Sequence, residues 1–188
     1  MKTLHLRGDN AGKNVTMFKK FWKVKDVSYA LVTTWRMLED KLATKTNLKK
    51  HGITIVSSMC SLCEVKEETS THLFFECRFA WLLWNHCYVW LEVQSAFHNV
   101  LLLNFSQFRM CNVSASVNKV WRVIWMAVVN EVWKHRNNVI FKGDVVKVFV
   151  LVQLKAWTWV TSKSHSALFS FSDWCLDLLV CMIMIYSF

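Results

Sequence analysis

Cys60, Cys63, His72 and Cys77 form a C-x2-C-x8-H-x4-C pattern inside an 18-residue window, while four other cysteines scatter over the rest of the 188 residues. A C-x2-C turn presents two thiolates to one ion, and a histidine and a third cysteine one short loop later complete a tetrahedral donor set suited to Zn2+. Three thiolates and a neutral imidazole leave no position for water, so the expected cofactor is structural Zn2+ and the site does not activate a nucleophile. The alternative is a set of buried free cysteines beside a surface histidine. A redox C-x-x-C has less support, because no βαβ pattern surrounds the motif.

The spacing also constrains the local backbone. Residues 64–71 are acidic and hydrophilic, as expected of a solvent-facing excursion between ligand pairs. Thr69, Ser70 and Thr71 are suitable N-caps for a short helix that begins at His72. On a continuous α-helix, five residues rotate by about 500°, which leaves Cys77 roughly 140° off the face of His72. A break near residues 76–78 is therefore required.

The rest of the chain reads as helix. Leu31, Trp35, Leu38 and Leu42 form an amphipathic stripe over residues 27–42, and Thr44 or Thr46 caps a short helix over 47–51 that Gly52 stops. Ile53, Ile55 and Val56 suggest an extended lead into the cysteine turn. Phe79, Leu82, Leu83 and Trp90 mark a helix over 78–92. Ser114 or Ser116 caps the longest helix, whose apolar face is Val117, Trp121, Ile124, Trp125, Val128, Val132 and Trp133. Beyond Gly143, Asp144 caps a helix bearing Val148, Leu151, Val152 and Trp159, and Ser172 or Asp173 starts the last one. The expected fold is mainly α, with a short zinc knuckle between an N-terminal helical hairpin and a C-terminal helical bundle. Its divisions are a basic, poorly ordered arm (1–25), the zinc-binding domain (26–94), a linker (95–112) and the helical C-terminal region (113–188). The remaining cysteines, with His86, His98, His135 and His165, are expected to pack in the core.

Charge is unevenly spread in this chain of net +10: residues 1–59 carry 12 Lys/Arg against 4 Asp/Glu, whereas residues 60–112 carry 3 against 5. A phosphate backbone would be drawn to the basic first third, where Lys19, Lys20, Lys23, Lys25, Lys45, Lys49 and Lys50 are the candidate contacts for RNA or DNA. The competing reading is a solvated basic face. No stretch approaches the roughly 18–20 uncharged apolar residues needed to span a bilayer. The apolar run 178–188 reads as a packed helix or an interface, with tail anchoring as the alternative. No secretory signal is visible, and the cysteine spacing favours a reducing intracellular compartment, nucleus or cytoplasm. Proline is absent altogether.

Several segments together carry a family resemblance. Thr34-Trp35-Arg36-Met37-Leu38, Asp40 through Leu48, Gly52-Ile53, and then Cys60, Cys63, Glu67-Glu68, His72-Leu73-Phe74-Phe75-Glu76-Cys77, Ala80 and Trp84 resemble the plant reverse transcriptase zinc-binding domain of non-LTR retrotransposons. Ile124-Trp125, Glu131 through Asn137 and Ile140-Phe141 resemble the region that follows it. The resemblance implies that Cys60, Cys63, His72 and Cys77 are the ligands, and that polymerase or RNase H domains of a related polyprotein are neighbours. Habitual family prolines are replaced, by Ala43, Ser61 and Arg78 among others, which leaves those turns less rigid. There is no polymerase-type acidic pair and no acidic set for two-metal chemistry, so no catalytic residue is expected. The expected role is an accessory nucleic-acid-binding element, the alternatives being a packing module for those domains or a non-functional relic.

Overall fold

The computed structural model describes residues 25–93, 104–105, 115–138, 145–162 and 169–186. They are mainly helical, with the cysteine–histidine cluster between helical regions and no strand among the described residues. The helices are α1 (Lys25–Leu38), α2 (Lys45–Lys50), α3 (Arg78–Trp90), α4 (Ala115–Asn137), α5 (Val145–Thr161), α6 (Phe171–Leu176) and α7 (Leu178–Tyr186), with a π-helical turn at His72–Glu76.

Helix α4 is the axis. It packs against α1, α3, the π turn, α5 and α7. The sequence predicts one apolar face for it, yet Val120, Trp121, Val123 through Val129, Val132 and Trp133 are all buried. A helix surrounded by partners needs apolar side chains all round, and a single-face pattern understates its burial. Trp84 and Trp125 meet at 6.2 Å between ring centres and join α3 to α4. Asn104 and Phe105, from the segment expected to be a linker, are buried against α4: Asn104 accepts from the Trp125 indole at 2.8 Å, and Phe105 meets that ring edge-on at 4.8 Å.

Other details differ from expectation. On α1 the buried face is Ala30, Leu31, Thr34 and Met37. Trp35 is 42% exposed and carries the Lys41 ammonium 5.0 Å from its ring centre. The helix turns this face inward because its partner is α4. Leu151 is exposed, and Gln153 and Ala156 lie on the buried side of α5 instead. The last helices start at Ser170, which caps α6 in a reciprocal box with Asp173, rather than at Ser172 or Asp173. Cys87 and Cys181 are buried as expected, His135 stacks on Phe79 at 4.5 Å, and His86 sits at the surface beside Phe149. Cys111, His98 and His165 lie outside the described residues.

Short hydrogen bonds fix the segment before the cysteines. Thr44 caps α2, and Asn47 donates to the Asp40 and Leu42 carbonyls at 2.9 and 3.0 Å. After α2 the chain reverses through Gly52, whose φ of 78° is the left-handed conformation that ends a helix; Ile53 N–H then donates to Leu48 C=O at 3.0 Å.

Candidate metal centre

The C-x2-C turn is held from behind by a narrow backbone clasp. Cys60 N–H donates to Lys66 C=O and Glu68 N–H to Ser58 C=O, both at 2.8 Å, around a single bridge between Met59 and Glu67. Pairing therefore falls on residues 58–60, not on Ile53, Ile55 and Val56, where Ile53 and Val56 are exposed. Glu64 takes a φ of 56°, reversing the chain after Cys63.

The His72-to-Cys77 interval uses a wider turn. In a π turn the hydrogen bond closes five residues on, and Cys77 N–H donates to His72 C=O at 2.7 Å. The fifth residue thereby returns over the first. Cys77 itself is extended, with φ −62° and ψ 132°, so the backbone breaks there before α3 begins. The break falls where the spacing requires it, and the π turn is the device that satisfies it. Leu73, Phe74 and Phe75 are buried and anchor the turn, and the Phe74 carbonyl accepts from the Trp84 indole at 2.8 Å.

These two elements bring Cys60, Cys63, His72 and Cys77 together, with their donor atoms all within 4.8 Å of one another. Cys60 and Cys77 sulfurs are 4.0 Å apart, and Cys63 Sγ is 3.2 Å from His72 Nε2. Tetrahedral zinc would set sulfur–sulfur edges of roughly 3.8 Å and sulfur–nitrogen edges of roughly 3.6 Å, from its usual bond lengths. The spacing brackets those values. Cys60, Cys77 and His72 are buried. His72 Nδ1 is buried without a hydrogen-bond partner, with the Glu76 carboxylate 3.8 Å away, beyond hydrogen-bond length. Contact from the Cys77 thiol draws the Cys60 thiol down to about 5 against the opposing effect of burial, with the Leu62 and Cys63 amides assisting. The same contact, together with burial, pushes Cys77 up. Two neighbouring thiolates repel unless a cation lies between them, and a divalent ion removes that cost. The donor set fits structural Zn2+. When bound, the ion supplies cross-linking of the two turns, with all four positions filled by protein.

A residue that sequence reasoning passed over stands behind this centre. Glu68, in the loop expected to face solvent, is 0% exposed. Its carboxylate accepts from Ser61 N–H (3.0 Å), Lys45 N–H (3.1 Å), and Arg136 Nε (3.0 Å) and Nη2. Burial opposes its ionisation, but Arg136 and the two amides outweigh that and hold it below the usual carboxylate range. One glutamate among polar neighbours carries no signal of burial, because its donors come from three separate parts of the chain.

Only some of the candidate lysines fall among the described residues. Lys19, Lys20 and Lys23 lie outside the described residues, and Lys25 begins α1. Lys45 Nζ donates to Met59 C=O at 2.7 Å, so it braces the clasp. Lys50 Nζ lies 3.8 Å from Asp40 and donates to Asn47 at 3.3 Å, and Lys49 is exposed. No helix among the described residues is long and apolar enough to cross a membrane.

No curated protein and no solved structure matches the chain. A protein-family model described as zinc-binding in reverse transcriptase does match, over residues 4–84. That span starts within the expected arm, holds all four candidate ligands and ends before the second region of resemblance, Ile124 to Phe141. The match and the clustered donors together support a reverse transcriptase zinc-binding domain in the first half of the chain.

Proposed function

We propose that the chain is a structural zinc-binding module from the polyprotein of a plant non-LTR retroelement, serving as an accessory nucleic-acid-binding element without catalysis of its own in a reducing intracellular compartment. The observation that carries this reading is the saturated Cys3His donor set lying inside the span that matches the reverse transcriptase family. Four protein donors favour architecture over chemistry at the ion. The basic excess of residues 1–59 supplies the attraction for phosphate.

Two measurements on the purified full chain test it: metal content, and RNA binding as a function of salt. One zinc per chain is expected, together with an affinity that falls as salt rises, by a slope of about 0.7 per phosphate contacted on a single strand. Lys49→Gln should lower that slope by roughly one contact without affecting zinc. Salt-independent binding would remove the nucleic-acid role.

A second reading has its own support. Val146, Val150 and Leu154 are exposed at four-residue intervals along α5, with Leu151 beside them, and Leu176 is exposed at the end of α6 and Val180 and Met184 on α7. Such apolar surface suits packing against polymerase or RNase H domains of the same polyprotein. A chain that stays monomeric at high concentration would argue against it.

A further inference from the structure

Glu68 and Arg136 are separated by 68 positions and belong to different halves of the chain, yet they share an ion pair, its carboxylate buried and its arginine 15% exposed, with the metal centre on one side and α4 on the other. We infer that this pair couples ion binding at the knuckle to the docking of α4, so that each strengthens the other. The inference rests on the zinc reading of the four ligands and not on any nucleic-acid role.

The wiring is short. Ser61 lies inside the C-x2-C turn, and its N–H donates to Glu68 Oε2. The other oxygen accepts from the first amide of α2 and from both prongs of Arg136. The Glu68 backbone takes part as well: its N–H donates to Ser58 C=O at 2.8 Å, and its C=O accepts from Thr46 Oγ1 at 2.9 Å. Arg136 sits in the last turn of α4, stacks over Trp133 at 5.0 Å and also donates to Ala43 C=O at 3.3 Å. A buried carboxylate keeps its charge only while its donors stay in place. If the cysteine turn opens, Ser61 N–H leaves, the carboxylate loses a donor and the arginine contact weakens. If α4 undocks, the glutamate loses its counter-charge and the turn loses its backing. Coupling between two equilibria is necessarily reciprocal, so an arginine that touches no ligand should tune zinc affinity.

The test is zinc affinity of the full chain by competition with a chromophoric chelator, alongside hydrogen exchange of α4 amides with and without zinc. Arg136→Met and Glu68→Gln should each weaken zinc binding at least tenfold, and the double variant should be no weaker than about the worse single one. Zinc removal should speed exchange in the last turns of α4. Val152→Ala, which disturbs the core on α5, should leave affinity within twofold. Should Arg136→Met not fold, Arg136→Lys, which keeps the charge and loses the fork, should still weaken binding by threefold or more. Affinity unchanged in the arginine variant, or an equal loss from Val152→Ala, would overturn the coupling alone. Absence of stoichiometric zinc in the unmodified chain would sink the metal reading and the coupling together.

Discussion

Residues 40–77 and helix α4 reach fixed structure by different routes. The first segment has few buried apolar side chains before His72. It is organised by side chains that answer backbone groups: Asn47 on Asp40 and Leu42, Lys45 on Met59, Glu68 on Ser61 and Lys45. The second is organised by volume, with Trp121, Ile124, Trp125 and Val128 filling the space between five neighbours. A polar framework of this kind has little hydrophobic stabilisation of its own, so it needs an ion and a neighbour to hold it. A packed helix is held by the apolar surfaces of its neighbours and needs no ion, but tolerates few changes of size.

The largest test of that contrast is metal removal. Chelation, or Cys63→Ser, should abolish tertiary order in residues 58–77, since structural zinc contributes on the order of 10 kcal/mol in small modules. Most far-ultraviolet helical signal should persist, because α3, α4 and α5 bury their own core. Collapse of the whole helical signal would erase the distinction between the two regions. Trp125→Ala should cost about 3–5 kcal/mol in denaturant unfolding through cavity formation and loss of the donor to Asn104.

A smaller effect should appear with pH. Burial lowers the His135 pKa from its ordinary value of 6.5. The unfolded chain therefore takes up that proton first, so this contribution is full above pH 6.5 and is lost progressively as pH falls toward the lower folded value. His135→Phe, which can keep the stack on Phe79, should flatten that part of the stability profile relative to the unmodified chain. An identical slope in both would show that His135 does not titrate against folding. The smallest change is Gly52→Ala. Nothing lies within 4 Å of the added carbon, so the cost is confined to the left-handed backbone, roughly 1–2 kcal/mol.

The two routes also decide what the sequence discloses. The clustering of the four donors was legible because coordination demands particular elements at particular intervals, and the break at Cys77 followed from helical rotation between His72 and Cys77. The π turn was not, since a wide turn has no distinctive residue pattern and is selected by the contacts at its two ends. Helix positions could be read from caps and periodicity, but Trp35 and Leu151 fell on the outer side because periodicity fixes a stripe only to within the face that a partner chooses. Glu68 was hidden for a different reason: charge normally signals solvent, and only the convergence of Ser61, Lys45 and Arg136 reverses that rule.

The five-residue closure from His72 to Cys77 has a consequence for how this chain tolerates length changes. Inserting one residue between those two positions would break that closure and carry the Cys77 side chain about 100° further around the axis, away from His72. Loop 64–66, whose three residues are exposed, can absorb an added residue far more readily. An added residue is thus absorbed on one side of the histidine and disrupts the donor set on the other.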